Sequence, residues 1–80
     1  MMNKAQKRKL EIEALSDAYN SVESYRDSQH QQILYWQEAK DEILKENPEA
    51  DTEWYDNNIE EYELKFKTFE KVLEVIFKLM

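Results

Sequence analysis

Asp56, Glu60 and Glu63 stand at i, i+4 and i+7, which puts three carboxylates on one helical face. Glu38, Asp41 and Glu42 form a second acidic group, which a helical hairpin would bring to comparable height. Carboxylates on facing helices can hold Mg²⁺ or Mn²⁺, with substrate phosphates completing the coordination sphere. The competing explanation is a solvated acidic face. The sequence favours it, because these acids flank aromatic positions and line no obvious cavity.

Two of the pairs have a familiar form. Glu60 with Glu63 reads E-x-x-E and Glu38 with Asp41 reads E-x-x-D. Both resemble pairs used by helical nucleotide pyrophosphohydrolases, although their order and spacing depart from that family's pattern. The resemblance implies a metal-dependent nucleotide phosphohydrolase built on Glu38, Asp41, Glu60 and Glu63. Other catalytic groups are sparse. His30 is the single histidine, with Asp27 one turn before it; a catalytic imidazole needs an orienting partner and a pocket. Ser16, Ser21, Ser24 and Ser28 lie in helix-like sequence with no strained turn to present a nucleophile. The expectation is a protein that is not an enzyme and uses no cofactor and no metal.

The aromatic residues point elsewhere. Tyr35 and Trp36 precede, and Trp54 and Tyr55 lie within, a stretch from Asp41 to Glu63 that holds ten acids against one lysine. Tyrosine and tryptophan at exposed sites are favoured interface anchors, and dense negative charge steers association with a basic partner. The expected partner-binding residues are Tyr35, Trp54, Asp56, Glu60, Glu61 and Glu63. The expected partner is a protein with a basic surface.

Composition narrows the class. The chain has 80 residues, no cysteine, no glycine and one proline, Pro48. Without glycine there is no phosphate-cradling loop, and sheets and tight turns lose their usual punctuation. A disulfide is unavailable, and one histidine without a thiolate makes a poor zinc site. Ten aromatic residues argue against disorder. The net charge of −7 argues against direct nucleic-acid binding. Met2–Leu10 holds four cations and no acid, but no apolar run follows as in a secretory leader. The apolar stretch Val72–Met80 is too short to span a bilayer and contains Glu74 and Lys78. A cytoplasmic location with no membrane contact is expected.

These groups must be positioned by helices. Pro48 suits a helix start and not a helix middle. Asn47, Asp51 and Thr52 are available as caps. The expected organisation is a single domain over 1–80: a basic helical overhang at 1–17, a helix over 18–46, a turn over 47–52 and a helix over 53–80. In the second helix, Tyr55, Ile59, Tyr62, Phe66, Phe69, Leu73, Ile76 and Met80 alternate by four and three, a heptad seam. The first helix offers a weaker seam through Leu15, Ala18, Val22, Tyr25, Gln29, Gln32, Trp36, Ala39 and Ile43, with polar sequence in its middle. Upstream of it, Ser16, Asp17, Asn20 and Ser21 would permit a kink or restart near residues 16–21.

Folded back at Pro48, the seams face each other with paired numbers summing to about 98. Ile43 then meets Tyr55, Trp36 meets Tyr62, Gln32 meets Phe66, Tyr25 meets Leu73 and Val22 meets Ile76. The expected fold is all-α: a long antiparallel, coiled-coil-like helical hairpin. Val72, Phe77 and Leu79 remain uncovered by one partner helix. Burying such side chains contributes about 1.5–3 kcal/mol each. A homodimer forming a four-helix bundle would cover them, with self-association through Leu73, Ile76, Phe77, Leu79 and Met80, and each basic N-terminal segment beside the other chain's C-terminal end. The competing arrangement folds 1–17 back as a short third helix. Small acidic helical chains of this kind resemble phage or mobile-element inhibitors that occupy the nucleic-acid site of a host or defence protein. The other non-enzymatic possibility is a structural coiled-coil component of an assembly.

Overall fold

The computed structural model describes all 80 residues and contains two helices. Helix α1 spans Lys4–Glu46 and α2 spans Glu53–Leu79. They pack antiparallel as an extended hairpin whose Cα atoms fill 68 × 14 × 14 Å. The long dimension belongs to α1, whose 43 residues measure about 64 Å at roughly 1.5 Å per residue.

Helix α1 begins in a capping box. Asn3 Oδ1 accepts from the Gln6 backbone N–H at 2.9 Å, and Gln6 Oε1 accepts from the Asn3 N–H at 3.0 Å. The helix then runs unbroken through Ser16–Ser21, so neither a restart nor a third helix forms there. With no glycine or proline to interrupt it, an available cap residue does not by itself stop a helix. At the other end the Asn47 N–H donates to Ile43 O at 2.9 Å. The Asn47 side chain accepts from the Glu49 N–H at 3.2 Å, and the Ala50 N–H closes the turn onto Asn47 O at 3.0 Å. Asp51 Oδ1 then accepts from the Glu53 N–H at 2.9 Å and leads into α2, whose first turn carries Glu53 and Asp56.

Along α2, Tyr55, Ile59, Tyr62, Phe66, Phe69, Leu73 and Ile76 all turn inward, while Met80 is exposed. The α1 seam differs from expectation. Leu15, Val22, Gln29, Trp36 and Ile43 do face α2, but between them stand Tyr19, Arg26, Ile33 and Lys40. Ala18, Tyr25 and Gln32 are exposed, and Ala39 is half-buried beside Lys40. The alternation from Leu15 is therefore four then three, not three then four. Ile33 decides this rotation by burial: it is 8% exposed and, with Leu73 at 4%, one of the two residues closed off from solvent. Arg26 and Lys40 lay their stems in the seam and turn their charges out to Asp27 at 3.0 Å and Asp56 at 2.6 Å.

The register is shorter too. Tyr25 meets Phe69, His30 meets Phe66 and Lys40 meets Asp56, so paired numbers sum to about 95. Tyr25 therefore does not meet Leu73, and Phe66 is met by His30 instead of Gln32. By this register α2 ends about level with Ser16, and residues 1–14 are all exposed. Arg8 reaches back from that overhang and donates from Nη2 to the carbonyls of Leu79 and Met80, at 2.9 and 3.0 Å. A cation thus satisfies acceptors that the last helical turn leaves open. The contact is made within one chain.

Candidate functional site

The four aromatic residues at the turn end form one cluster. Trp36 is its hub, with ring centroids 5.2 Å from Tyr35, 5.0 Å from Trp54 and 6.0 Å from Tyr55. Trp54 and Tyr55 lie 5.1 Å apart. All four contacts are edge-on, the arrangement that ring quadrupoles favour. Helix α1 supplies Tyr35 and Trp36 and α2 supplies Trp54 and Tyr55, so the hairpin itself assembles the cluster. Trp36 and Tyr55 are half-buried, whereas Tyr35 and Trp54 are each 62% exposed. The two outer rings present a broad amphipathic face on a rigid support. The Trp36 indole N–H is buried without an acceptor.

The acids divide around this cluster. Asp56 lies two residues from Trp54, about 200° around the helix. On that far side an open groove is lined by Gln37, Lys40, Asp41, Asp56, Glu60 and Glu63. Glu61 lies seven residues from Trp54 and shares its face, pairing with Lys65 at 3.2 Å. The expected partner-binding residues thus form an aromatic side with Tyr35, Trp54 and Glu61, and an acidic groove with Asp56, Glu60 and Glu63. Sequence reasoning missed Lys40, which stands in the middle of that groove. The only signal for it was the alternative seam phase.

The carboxylates named for phosphohydrolase chemistry do not converge. Asp41, Glu60 and Glu63 line the groove, but Glu38 does not, and Lys40 occupies the space beside Asp56. No three Asp, Glu or His side chains stand close enough to hold a metal ion. His30 packs on the Phe66 ring at 5.8 Å, and Asp27 accepts from Arg26 instead of orienting the imidazole.

Asp56 has the best-defined electrostatics of the site. Hydrogen bonds from Lys40 Nζ and then Thr52 Oγ1 hold its carboxyl below the ordinary value of 3.8. A depressed carboxylate stabilises the fold above its unfolded-state pKa, and that contribution disappears as pH falls through the native value. A carboxyl-carbon NMR titration should place Asp56 below 3.8 in the wild type and return it towards 3.8 in Lys40→Met. An Asp56 titration unmoved by that substitution would rule out the ion pair as the cause.

Of the residues expected to drive self-association, Leu73 and Ile76 are taken up by the hairpin's own seam. Phe77, Leu79 and Met80 are exposed. Leu64, Val72 and Val75 are exposed as well. No helix is long and apolar enough to cross a membrane. Compared with protein-family models, with curated proteins and with solved structures, the chain shows no significant match.

Proposed function

We propose that this chain is a non-enzymatic interaction protein that engages a basic surface on a protein partner through its turn end. The observation that carries the reading is the pair of exposed rings, Tyr35 and Trp54, held edge-on by Trp36 and Tyr55 within the acidic half of the molecule. Large aromatic side chains left in water on a pre-formed support suit interface anchoring, because little side-chain entropy remains to be lost. The acids of Asp41–Glu63 supply steering towards a cationic surface.

A cationic surface of that kind is also what a nucleic-acid-binding protein presents to phosphates. The reading therefore includes an inhibitor that competes with nucleic acid for such a site, as phage and mobile-element inhibitors do. It needs no cofactor, no direct nucleic-acid contact and no membrane, and it fits a cytoplasmic protein. We further propose that the hairpin self-associates, because so little of it is closed off from solvent and a domain of this size needs an additional source of stability. The long rod also suits a structural coiled-coil component of an assembly.

Replacing Glu60, Glu61 and Glu63 by lysine should leave helix content unchanged, since all three are exposed. It should weaken capture of the basic partner by two orders of magnitude or more, and wild-type binding should fall steeply with added salt. Trp54→Ala should weaken capture at any salt concentration. Nuclease treatment of the lysate should not abolish capture, and added DNA should compete with it. Undiminished capture by the lysine variant would remove the acidic surface from the interface.

A further inference from the structure

Helix α2 carries a second apolar stripe on its outer side. Leu64, Thr68, Val72, Val75 and Leu79 are spaced by four, four, three and four. At about 100° per residue they fall within an arc of about 80° on the side away from Leu73. All five are exposed, Leu64 at 67% and Val75 at 58%. The one polar member does not interrupt the stripe, because the Thr68 hydroxyl donates to Leu64 O at 2.8 Å within its own helix. The stripe is about 22 Å long at roughly 1.5 Å per residue.

We infer that this stripe is a homodimer interface in which two α2 helices pack antiparallel about a two-fold axis near Lys71 and Val72. The inference rests on the self-association proposed above and assigns its surface and direction. Two observations fix the occupant as a second copy and the direction as antiparallel. The first is that the spacing reads nearly the same from either end. Run antiparallel, Leu64 faces Leu79, Thr68 faces Val75 and Val72 faces its own copy, the self-complementarity that a two-fold interface requires.

The second is charge. Residues 38–63 hold eleven acids and two lysines, a net −9; with −7 for the whole chain, the remainder carries +2. The rod is therefore acidic at its turn end and basic at the other. Parallel packing would lay one −9 segment along another. Antiparallel packing brings Glu53 and Asp56 of one copy level with Lys4, Arg8 and Lys9 in the overhang of the second. Phe77 lies about 140° around the helix from Leu64 and so outside the stripe; it lines, with Tyr19 and Arg26, the far side of a groove that Leu64 and Thr68 border on the stripe side.

The natural absence of cysteine makes a direct test clean. Thr68→Cys and Val75→Cys chains, mixed and oxidised with copper phenanthroline, should give a mixed disulfide dimer, while each variant alone should stay uncrosslinked. Wild-type protein should sediment at twice its 9.8 kDa chain mass. Val75→Asp should abolish the dimer and leave a monomer that is helical in the cold but melts at a lower temperature than the wild type, because Val75 lies outside the hairpin's own seam while the dimer supplies part of the stability. Crosslinking of Thr68→Cys with itself would show parallel packing and overturn the inference. A wild-type dimer in which neither variant crosslinks, mixed or alone, would place self-association on another face and overturn only this assignment. A wild-type monomer across a wide concentration range would overturn both the assignment and the self-association.

Discussion

Leu73→Asp is expected to unfold the hairpin. Leu73 is the most enclosed side chain of the protein, at 4% exposure, and lies in an otherwise aromatic and β-branched stretch of seam between Phe69 and Ile76. Truncating a buried leucine to alanine costs about 2–5 kcal/mol. An aspartate adds the desolvation of a charge at an enclosed position. Against this stands a total that a small core rarely raises above about 3–5 kcal/mol. The loss is of the same size as the whole, so far-ultraviolet circular dichroism should show a coil at neutral pH. Glu70→Ala, three residues away on the solvent side, should stay within about 0.5 kcal/mol of the wild type. A Leu73→Asp protein that melts like the wild type would mean that α1 and α2 do not pack through this seam.

The contrast between the two helices explains how much of the fold is legible in the sequence. In α2 the inward positions from Tyr55 to Ile76 are all large and apolar, and the residues between them are mostly charged. One phase alone is then compatible with burial. In α1 two phases share Leu15, Val22, Gln29, Trp36 and Ile43 and compete for the other positions. One sets Ala18, Tyr25, Gln32 and Ala39 against α2; the other sets Tyr19, Arg26, Ile33 and Lys40. Counting apolar types favours the first. Packing selects the second, because Ile33 buries more area than two alanines offer and because long cationic stems are themselves apolar.

The register error has a similar origin. The turn consumes residues in its own hydrogen bonds, at Asn47 with Glu49 and Ala50 and at Asp51 with Glu53. A centre at Pro48 would give sums of 96, close to the observed 95; the expected 98 comes from aligning the two seams, and the α1 seam has a different phase. The outer stripe of α2 was legible only in part: Val72 and Leu79 stood out as uncovered, but Leu64 stands alone between Glu63 and Lys65 and Val75 is lost within the apolar run Val72–Met80, and both join the stripe only on a helix. The aromatic cluster needs the hairpin, since its two halves are 18 residues apart along the chain, from Trp36 to Trp54.

Trp36 links the stability of the hairpin to the surface it presents, and Trp36→Ala is expected to damage both. The indole meets three rings edge-on, and each such pair contributes about 0.5–1.5 kcal/mol beyond its buried area. Removing a tryptophan from a closed core costs about 3–5 kcal/mol. Trp36 is only half-buried, so a loss of about 2–3 kcal/mol is expected by the same scale, seen in chemical denaturation. Tyr35 and Trp54 would lose their support, and the emission of Trp54, then the single tryptophan, should shift towards that of a fully hydrated indole. Trp36→Phe separates ring packing from polar contacts. It keeps an aromatic hub and deletes an indole N–H that is buried without an acceptor, a group that costs about 1–3 kcal/mol to leave unpaired. The smaller ring loses contact area, and the two effects oppose each other. The net change should be within about 1 kcal/mol of the wild type, with partner capture retained. Equal damage from Trp36→Phe and Trp36→Ala would mean that the indole N–H does find an acceptor, and that the cluster is held by a hydrogen bond in place of the edge-on ring contacts.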